Sequence, residues 1–150
     1  MMAFESADNP RLVIPALRPA YAALEPIAEA LLRFVAGGAL AIHGAGKIGT
    51  PFANVGMVES LGFYPGVFWS PLLAATEFFG GILIALGLLT RPAALAGMIV
   101  LLVTVFFHWV TLGQGYSGAE KSILWVAMLA YIAVRGGRAF SLDARIGRAI

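Results

Sequence analysis

An all-α polytopic membrane protein, built as an antiparallel four-helix transmembrane bundle, is the fold class this sequence predicts. Three observations lead there. The 150 residues are 60% hydrophobic and only 12% charged, with mean hydropathy +0.87, whereas a soluble domain carries about 25% charge to cover its surface. Segments 27–48, 67–89, 92–113 and 118–134 each approach the ~20 apolar residues that cross a hydrocarbon core as a helix. These runs are apolar all round, whereas a membrane β-barrel shows alternating ten-residue segments. The same composition excludes intrinsic disorder. With no cysteine in the chain, disulfides, thiolate nucleophiles, thiolate metal sites and dithiol relays are excluded too, and no metal site is expected.

Each element follows from local chemistry. Residues 1–26 contain four prolines and lack a basic start leading into an unbroken apolar run, so they read as an extramembrane tail rather than a signal peptide. The first span carries Glu29, Arg33, His43 and Lys47. The connection 49–66 holds Pro51, Gly56, Gly62 and Pro65, with an amphipathic stretch near 54–61 suited to the interface. The second span has one charge, Glu77. Leu89-Thr90-Arg91-Pro92 predicts a tight turn with proline opening the third helix. That span has no Asp, Glu, Lys or Arg, but holds Thr104, His108 and Thr111. Before the fourth, Ser117 is placed to cap the helix with Glu120 three residues on. Three parts result: a tail (1–26), a transmembrane domain (27–135) and an Arg-rich C-terminal segment (136–150).

Charge sets the expected orientation. Four spans leave both termini on one side, with the turn at Arg91. That side holds Arg11, Arg18, Arg91, Arg135, Arg138, Arg145 and Arg148, against Lys47 and Lys121 on the other. The positive-inside bias then puts both termini in the cytoplasm, and the Arg cluster contacts lipid headgroups. No basic stripe interleaves with aromatics, so no nucleic-acid partner is expected.

The polar groups within the spans are the functional candidates, because ionisable residues there are costly and face a bundle interior or cavity. Glu77 lies about 15 Å along its helix, near mid-membrane. Arg33 is free to snorkel or to reach Glu77. His43 and His108 stand equally far along two parallel spans, and Lys47 follows His43 by one turn. Arg33, Gly37, Gly44 and Lys47 share one stripe; Glu120, Leu124, Ala127 and Tyr131 share another. Turned inward, these stripes would gather His43, Lys47, His108 and Glu120 at the outer mouth with Glu77 beneath. Each also has a structural reading: Lys47 with Glu120 as an interfacial ion pair, the histidines as interhelical hydrogen bonds, the pairs Gly37-Gly38 and Gly80-Gly81 as close packing. The tryptophans read as interface anchors and bundle filling.

Arg33-Phe-Val-Ala-Gly-Gly38 followed by His43-Gly-Ala-Gly-Lys47, Glu77-Phe-Phe-Gly-Gly81, Leu86-Gly-Leu-Leu-Thr-Arg91, Gly118-Ala-Glu120 and Ser141-Leu-Asp143 resemble, as an ordered set over about 27–143, the DoxX family of small bacterial membrane proteins. The resemblance implies four helices with both ends inside, in the bacterial cytoplasmic (inner) membrane. It also implies a link, in some relatives, to thiosulfate:quinone oxidoreduction or to membrane redox assemblies. Arg33, Lys47, Glu77, Arg91 and Glu120 are the family-like positions, carried as pocket or structural residues, with Arg33 and Arg91 on the structural side.

The leading expectation is a membrane subunit of a quinone-linked redox system. In it Lys47 and the histidines hold a headgroup, while Glu77 and Glu120 exchange protons. The partners expected are the bilayer and a soluble or membrane redox protein. A second reading is a non-enzymatic anchor or assembly factor acting through the tail and C-terminal segment, with Ile146 and Ile150 on a short amphipathic helix from Ser141. Lesser alternatives are a haem ligated by His43 and His108 and a small-solute transporter with Glu77 at the midplane, which needs a homo-oligomer to form a path.

Overall fold

The computed structural model describes residues 12–147. A 3-10 turn, Pro15–Leu17, leads into α1 (Arg18–Ile48). After the short α2 (Val55–Ser60) come three further long helices: α3 (Gly66–Leu86), α4 (Thr90–Thr111) and α5 (Gly115–Arg135). A final turn of helix, α6 (Leu142–Ile146), closes the described chain. Among the described residues there is no strand, and α1, α3, α4 and α5 are long and apolar enough to span a membrane. They pack as a ring in chain order, α1 on α3, α3 on α4, α4 on α5 and α5 back on α1.

The bundle inverts the soluble pattern. Its core is made of Ala36, Leu40, Ile84, Ala93, Ala94, Leu101, Trp125, Leu129 and Ile132, while large apolar side chains such as Ile42 (76% exposed) and Val134 (77%) point outward. Lipid is as apolar as leucine, so helices gain little by hiding large side chains from it. They associate through small residues that let backbones approach. Gly37, Gly44 and Gly81 fill this role between α1 and α3, where an added Cβ at Gly37 would stand 2.7 Å from the Gly81 carbonyl oxygen. Gly38 meets nothing within 4 Å, and Gly80 only the edge of Thr76. Each expected glycine pair therefore contributes one packing residue.

Several boundaries differ from expectation. The first helix starts at Arg18 and runs through Pro19 and Pro26, so the part of the tail from residue 18 is helical; residues 1–11 lie outside those described. Pro19 is tolerated in the first turn, where the amide has no helical partner, whereas Pro26 lies inside the helix and removes one of its hydrogen bonds. The third helix starts at Thr90 after Gly87 and Leu89, both left-handed. The turn thus falls before Thr90, with Pro92 inside the first turn. The fourth starts at Gly115 after the left-handed Gly113, so Ser117 lies within the helix and caps nothing.

At the end where α1 begins and α5 stops, residues 136–147 fold back on the bundle. Ser141 caps α6, its hydroxyl accepting from the Ala144 amide at 3.1 Å. Asp143 then caps α4 from outside. Its carboxylate accepts from the Leu89 amide (2.9 Å), the Thr90 amide (3.0 Å) and the Thr90 hydroxyl (2.7 Å), covering donors that a helix start leaves open. Beside it the Arg33 guanidinium, 4% exposed, donates to the carbonyls of Gly137 and Phe140. Burial works to raise the Asp143 carboxyl, but the bonds from Thr90 and Leu89 and the charge of Arg33 outweigh it and hold it below its ordinary value.

A depressed folded value means that the stabilisation is present above the ordinary carboxylate range and is lost as pH falls through the folded value. Asp143→Ala is therefore expected to cost about 1–3 kcal/mol at neutral pH. Its thermal midpoint should lie well below that of the parent at pH 7, and the gap should narrow toward pH 3. A pH-independent gap would contradict this account.

Arg135 and Arg138, expected to mark topology and contact lipid headgroups, also pair directly with acidic side chains. Glu29 accepts from the Arg135 side chain at 2.6 Å, from Arg138 at 3.2 Å and from the Tyr131 hydroxyl at 2.9 Å, tying α1 to the end of α5. Of the expected amphipathic end, Ile146 is exposed on α6, and Ile150 lies outside the described residues.

Candidate functional site

Glu77 stands where α3 leaves the α-helical path. The turn Thr76–Gly80 is π-helical, as is Phe107–Thr111 near the end of α4, which carries His108. A π turn holds one more residue than an α turn, re-aims the side chains around it, and occurs often at functional sites. Here both π turns carry an ionisable side chain that lines the bundle's internal cavities.

Lys47, in the last turn of α1, reaches Glu77. Its Nζ donates to both carboxylate oxygens at 2.6 Å. The Glu77 side chain is 5% exposed and that of Lys47 30%. A lone carboxylate so enclosed at membrane depth costs several kcal/mol, and a two-oxygen ion pair offsets that cost. Neither alternative pairing considered from the sequence forms: Arg33 turns to the Gly137 and Phe140 carbonyls instead of Glu77, and Lys47 chooses Glu77 over Glu120.

The ion pair lies between two cavities. One, about 420 Å³, lies among α2, α3 and α4 and is lined by side chains such as Val58, Leu72, Ile99, Val100, Val103 and Phe107. The other, about 320 Å³, lies among α1, α4 and α5 and is lined by His43, Lys121, Ser122 and Trp125, among others. Lys47, Glu77, Thr104 and His108 line both. Gln114 Oε1 accepts from His108 Nδ1 at 2.8 Å, which leaves Nε2 as the ring's free nitrogen. The exposed His43 packs edge-on against Trp125, with centroids 5.3 Å apart, and Trp125 donates to the Ala36 carbonyl at 3.1 Å.

The structure thus brings His43, Lys47, Glu77 and His108 together, toward the end where α1 stops and α5 begins. Glu120 does not join them; it is exposed and lines neither cavity. The cause is the rotation of α5. Its inward stripe is Ala119, Ser122, Trp125, Leu129 and Ile132, not Glu120, Leu124, Ala127 and Tyr131. Leu124 and Tyr131 are exposed. A signal for this was present in the small residues Ala119 and Ser122, which suit a helix contact, whereas Leu124 suits lipid. Arg91 lies at the other end, its side chain 3.1 Å from where a Cβ on Gly136 would stand. Asp143 and Glu29, which organise that end, were not singled out as site residues from the sequence. Their partners come from distant helices, and no spacing reveals them.

No curated protein and no solved structure matches the chain. A model of the DoxX family matches residues 28–109, from α1 to the π turn of α4. That match covers more than half of the sequence and both partners of the buried ion pair, so this four-span membrane protein belongs to the DoxX family.

Proposed function

We propose that the protein binds a quinone-like ligand and serves as the membrane subunit of a quinone-linked redox system. The observation that carries this reading is the Lys47–Glu77 pair at the polar end of an otherwise apolar cavity. An amphiphile with a flat polar head and an apolar tail matches that distribution. Its body packs among Leu72, Ile99, Val100 and Val103, and the exposed Leu72 and Ile99 give the cavity a rim on the lipid-facing surface. Its head meets the Lys47 ammonium, the Thr104 hydroxyl and the His108 ring, while Glu77 is placed to take up or release a proton. The Arg-rich end faces the cytoplasm by the positive-inside bias, so the pocket belongs to the outer half of the bacterial cytoplasmic membrane.

An anchor role for a redox partner draws support from a separate observation, the exposed Phe140 and Ile146 on the segment folded over the terminal end. It is compatible with a ligand site at the opposite end.

Protein purified gently into lipid nanodiscs is expected to retain quinone, identified by mass spectrometry of the extract. A short-chain quinone should raise the thermal midpoint of the stripped protein. Val100→Trp, which fills the apolar cavity while leaving Lys47 and Glu77 in the sequence, should abolish both effects. Absence of retained quinone together with an unmoved midpoint in the parent protein would overturn this reading.

A further inference from the structure

We infer that the second cavity is a water-side inlet to Glu77, separate from the lipid-side opening, through which water and protons reach the buried carboxylate. The two cavities share Lys47, Glu77, Thr104 and His108, and beyond these four their linings part company. Apart from Thr76, the larger is walled by aliphatic and aromatic side chains. The smaller adds His43, Lys121 and Ser122 to the shared polar groups, with Leu40, Leu101 and Trp125 as its apolar wall. A buried water needs room and two to four polar partners; about 320 Å³ with seven polar or ionisable side chains on its walls supplies both.

Position assigns the mouth. Gly118 and Lys121 lie in the first turns of α5, at the end of the span, and Lys121 is exposed. A lysine there marks the level where the hydrocarbon gives way to headgroups and water. The cavity therefore runs from that interface inward to the ion pair. Exposure gives the reason such a path matters. At 5% exposure Glu77 has almost no surface of its own, while Lys47 at 30% is in part accessible. Protons exchanging with Glu77 must pass through a neighbouring space, and the apolar cavity offers few partners for a proton carrier.

The groups facing this space from each wall are His43 and Lys47 on α1, Glu77 on α3, Thr104 and His108 on α4, and Lys121 and Ser122 on α5. Hydroxyls and imidazoles both donate and accept, as a chain of proton hand-offs between waters requires. His108, held through Nδ1 by Gln114 with Nε2 free, stands at the junction of the two cavities. The inlet rests on the ligand reading only for its purpose, since a lipid-phase reactant that gains or loses protons needs a separate aqueous connection. Its existence is a matter of geometry.

The chain contains no cysteine, so single cysteines report without background. Lys121→Cys marks the mouth, Thr104→Cys the junction and Val100→Cys the apolar cavity. A membrane-impermeant sulfonate methanethiosulfonate would be applied to sealed vesicles of each orientation. Thr104→Cys is expected to react from the same face as Lys121→Cys and within about tenfold of its rate, with Val100→Cys at least about a hundredfold slower, since thiol reactivity follows access and ionisation. Ser122→Cys, one atom changed, gives a second probe of the cavity if Thr104→Cys is not recovered folded. Silence of Thr104→Cys or of folded Ser122→Cys toward this reagent, where Lys121→Cys reacts, would overturn the inlet. Repeating the reaction with short-chain quinone separates the two ideas. Labelling of the junction probe Thr104→Cys that quinone does not slow upholds the inlet and counts against the ligand, whereas silence without quinone counts against the inlet alone.

Discussion

Lys47→Met is expected to destabilise the protein more than the double substitution Lys47→Met/Glu77→Met. The single change leaves the Glu77 carboxylate, 5% exposed, without the ammonium that holds both its oxygens at 2.6 Å. Removing one partner of a buried pair costs about 3–5 kcal/mol, because the remaining charge is stranded. Replacing both with apolar groups removes the stranded charge and often restores stability or improves it. Unfolding of the four variants in mild detergent, read as a double-mutant cycle, should return a coupling of several kcal/mol, beyond the 0.5 kcal/mol within which independent sites add. Ligand binding should behave differently and be lost in both singles and in the double. A cycle that closes additively would show that the pair contributes nothing to the fold. Quinone binding retained by a folded double variant would remove Lys47 and Glu77 from the ligand site.

The second large effect is expected from a single methyl group. A Cβ at Gly44 would stand 2.5 Å from the Phe78 Cα and 2.6 Å from the Glu77 carbonyl carbon, and one at Gly81 would stand 2.8 Å from the Ala41 Cα. These are backbone atoms of a packed neighbouring helix, so no rotamer change relieves the contact. Gly44→Ala should therefore push α1 away from α3, at the 1–3 kcal/mol or more that overpacking costs, and it acts at the residue bearing the buried carboxylate. Two residues along, Gly46 meets nothing within 4 Å. Gly46→Ala should be neutral or stabilising by about 0.5–1 kcal/mol, as alanine is in a helix interior. Comparing the two by denaturant or thermal unfolding, with quinone retention as a second readout, tests close packing against helix propensity. Equal behaviour would refute the packing account.

What the sequence revealed of this molecule follows from the kind of information each feature needs. The four spans were legible because length and hydropathy are local properties, and the inserted helices carry them unchanged. The membership of His43, Lys47, Glu77 and His108 in one region was legible from depth, which is a count of residues along helices of known rise. Rotation was harder. Only a polar-versus-apolar contrast marks the inner face of a soluble helix, and in lipid that contrast is nearly absent. Glu120 was accordingly assigned inward, when the small residues Ala119 and Ser122 hold that face. The partner of Lys47 was ambiguous for the same reason. Once α5 is turned, Glu120 is out of place, and the re-aimed π turn at Thr76–Gly80 carries Glu77 into reach. The contacts of Arg33 and Asp143 were out of sequence range altogether, because they join residues more than fifty positions apart.

Those last contacts bear on how the molecule comes to be assembled. Arg33 belongs to α1, made well before the rest of the bundle, yet the carbonyls that receive its buried guanidinium belong to Gly137 and Phe140, beyond α5. The start of α4 likewise waits for Asp143 to cover its open amides. Until the segment after α5 has been synthesised and folded back, one helix holds an unmatched charge and another an unfinished end. The arrival of residues 137–143 is thus a thermodynamic event and not merely an extension of the polypeptide: they release a penalty incurred at Arg33, more than a hundred positions earlier. A chain grown only as far as Arg135 would hold all four described spans and would still be, in energetic terms, an intermediate.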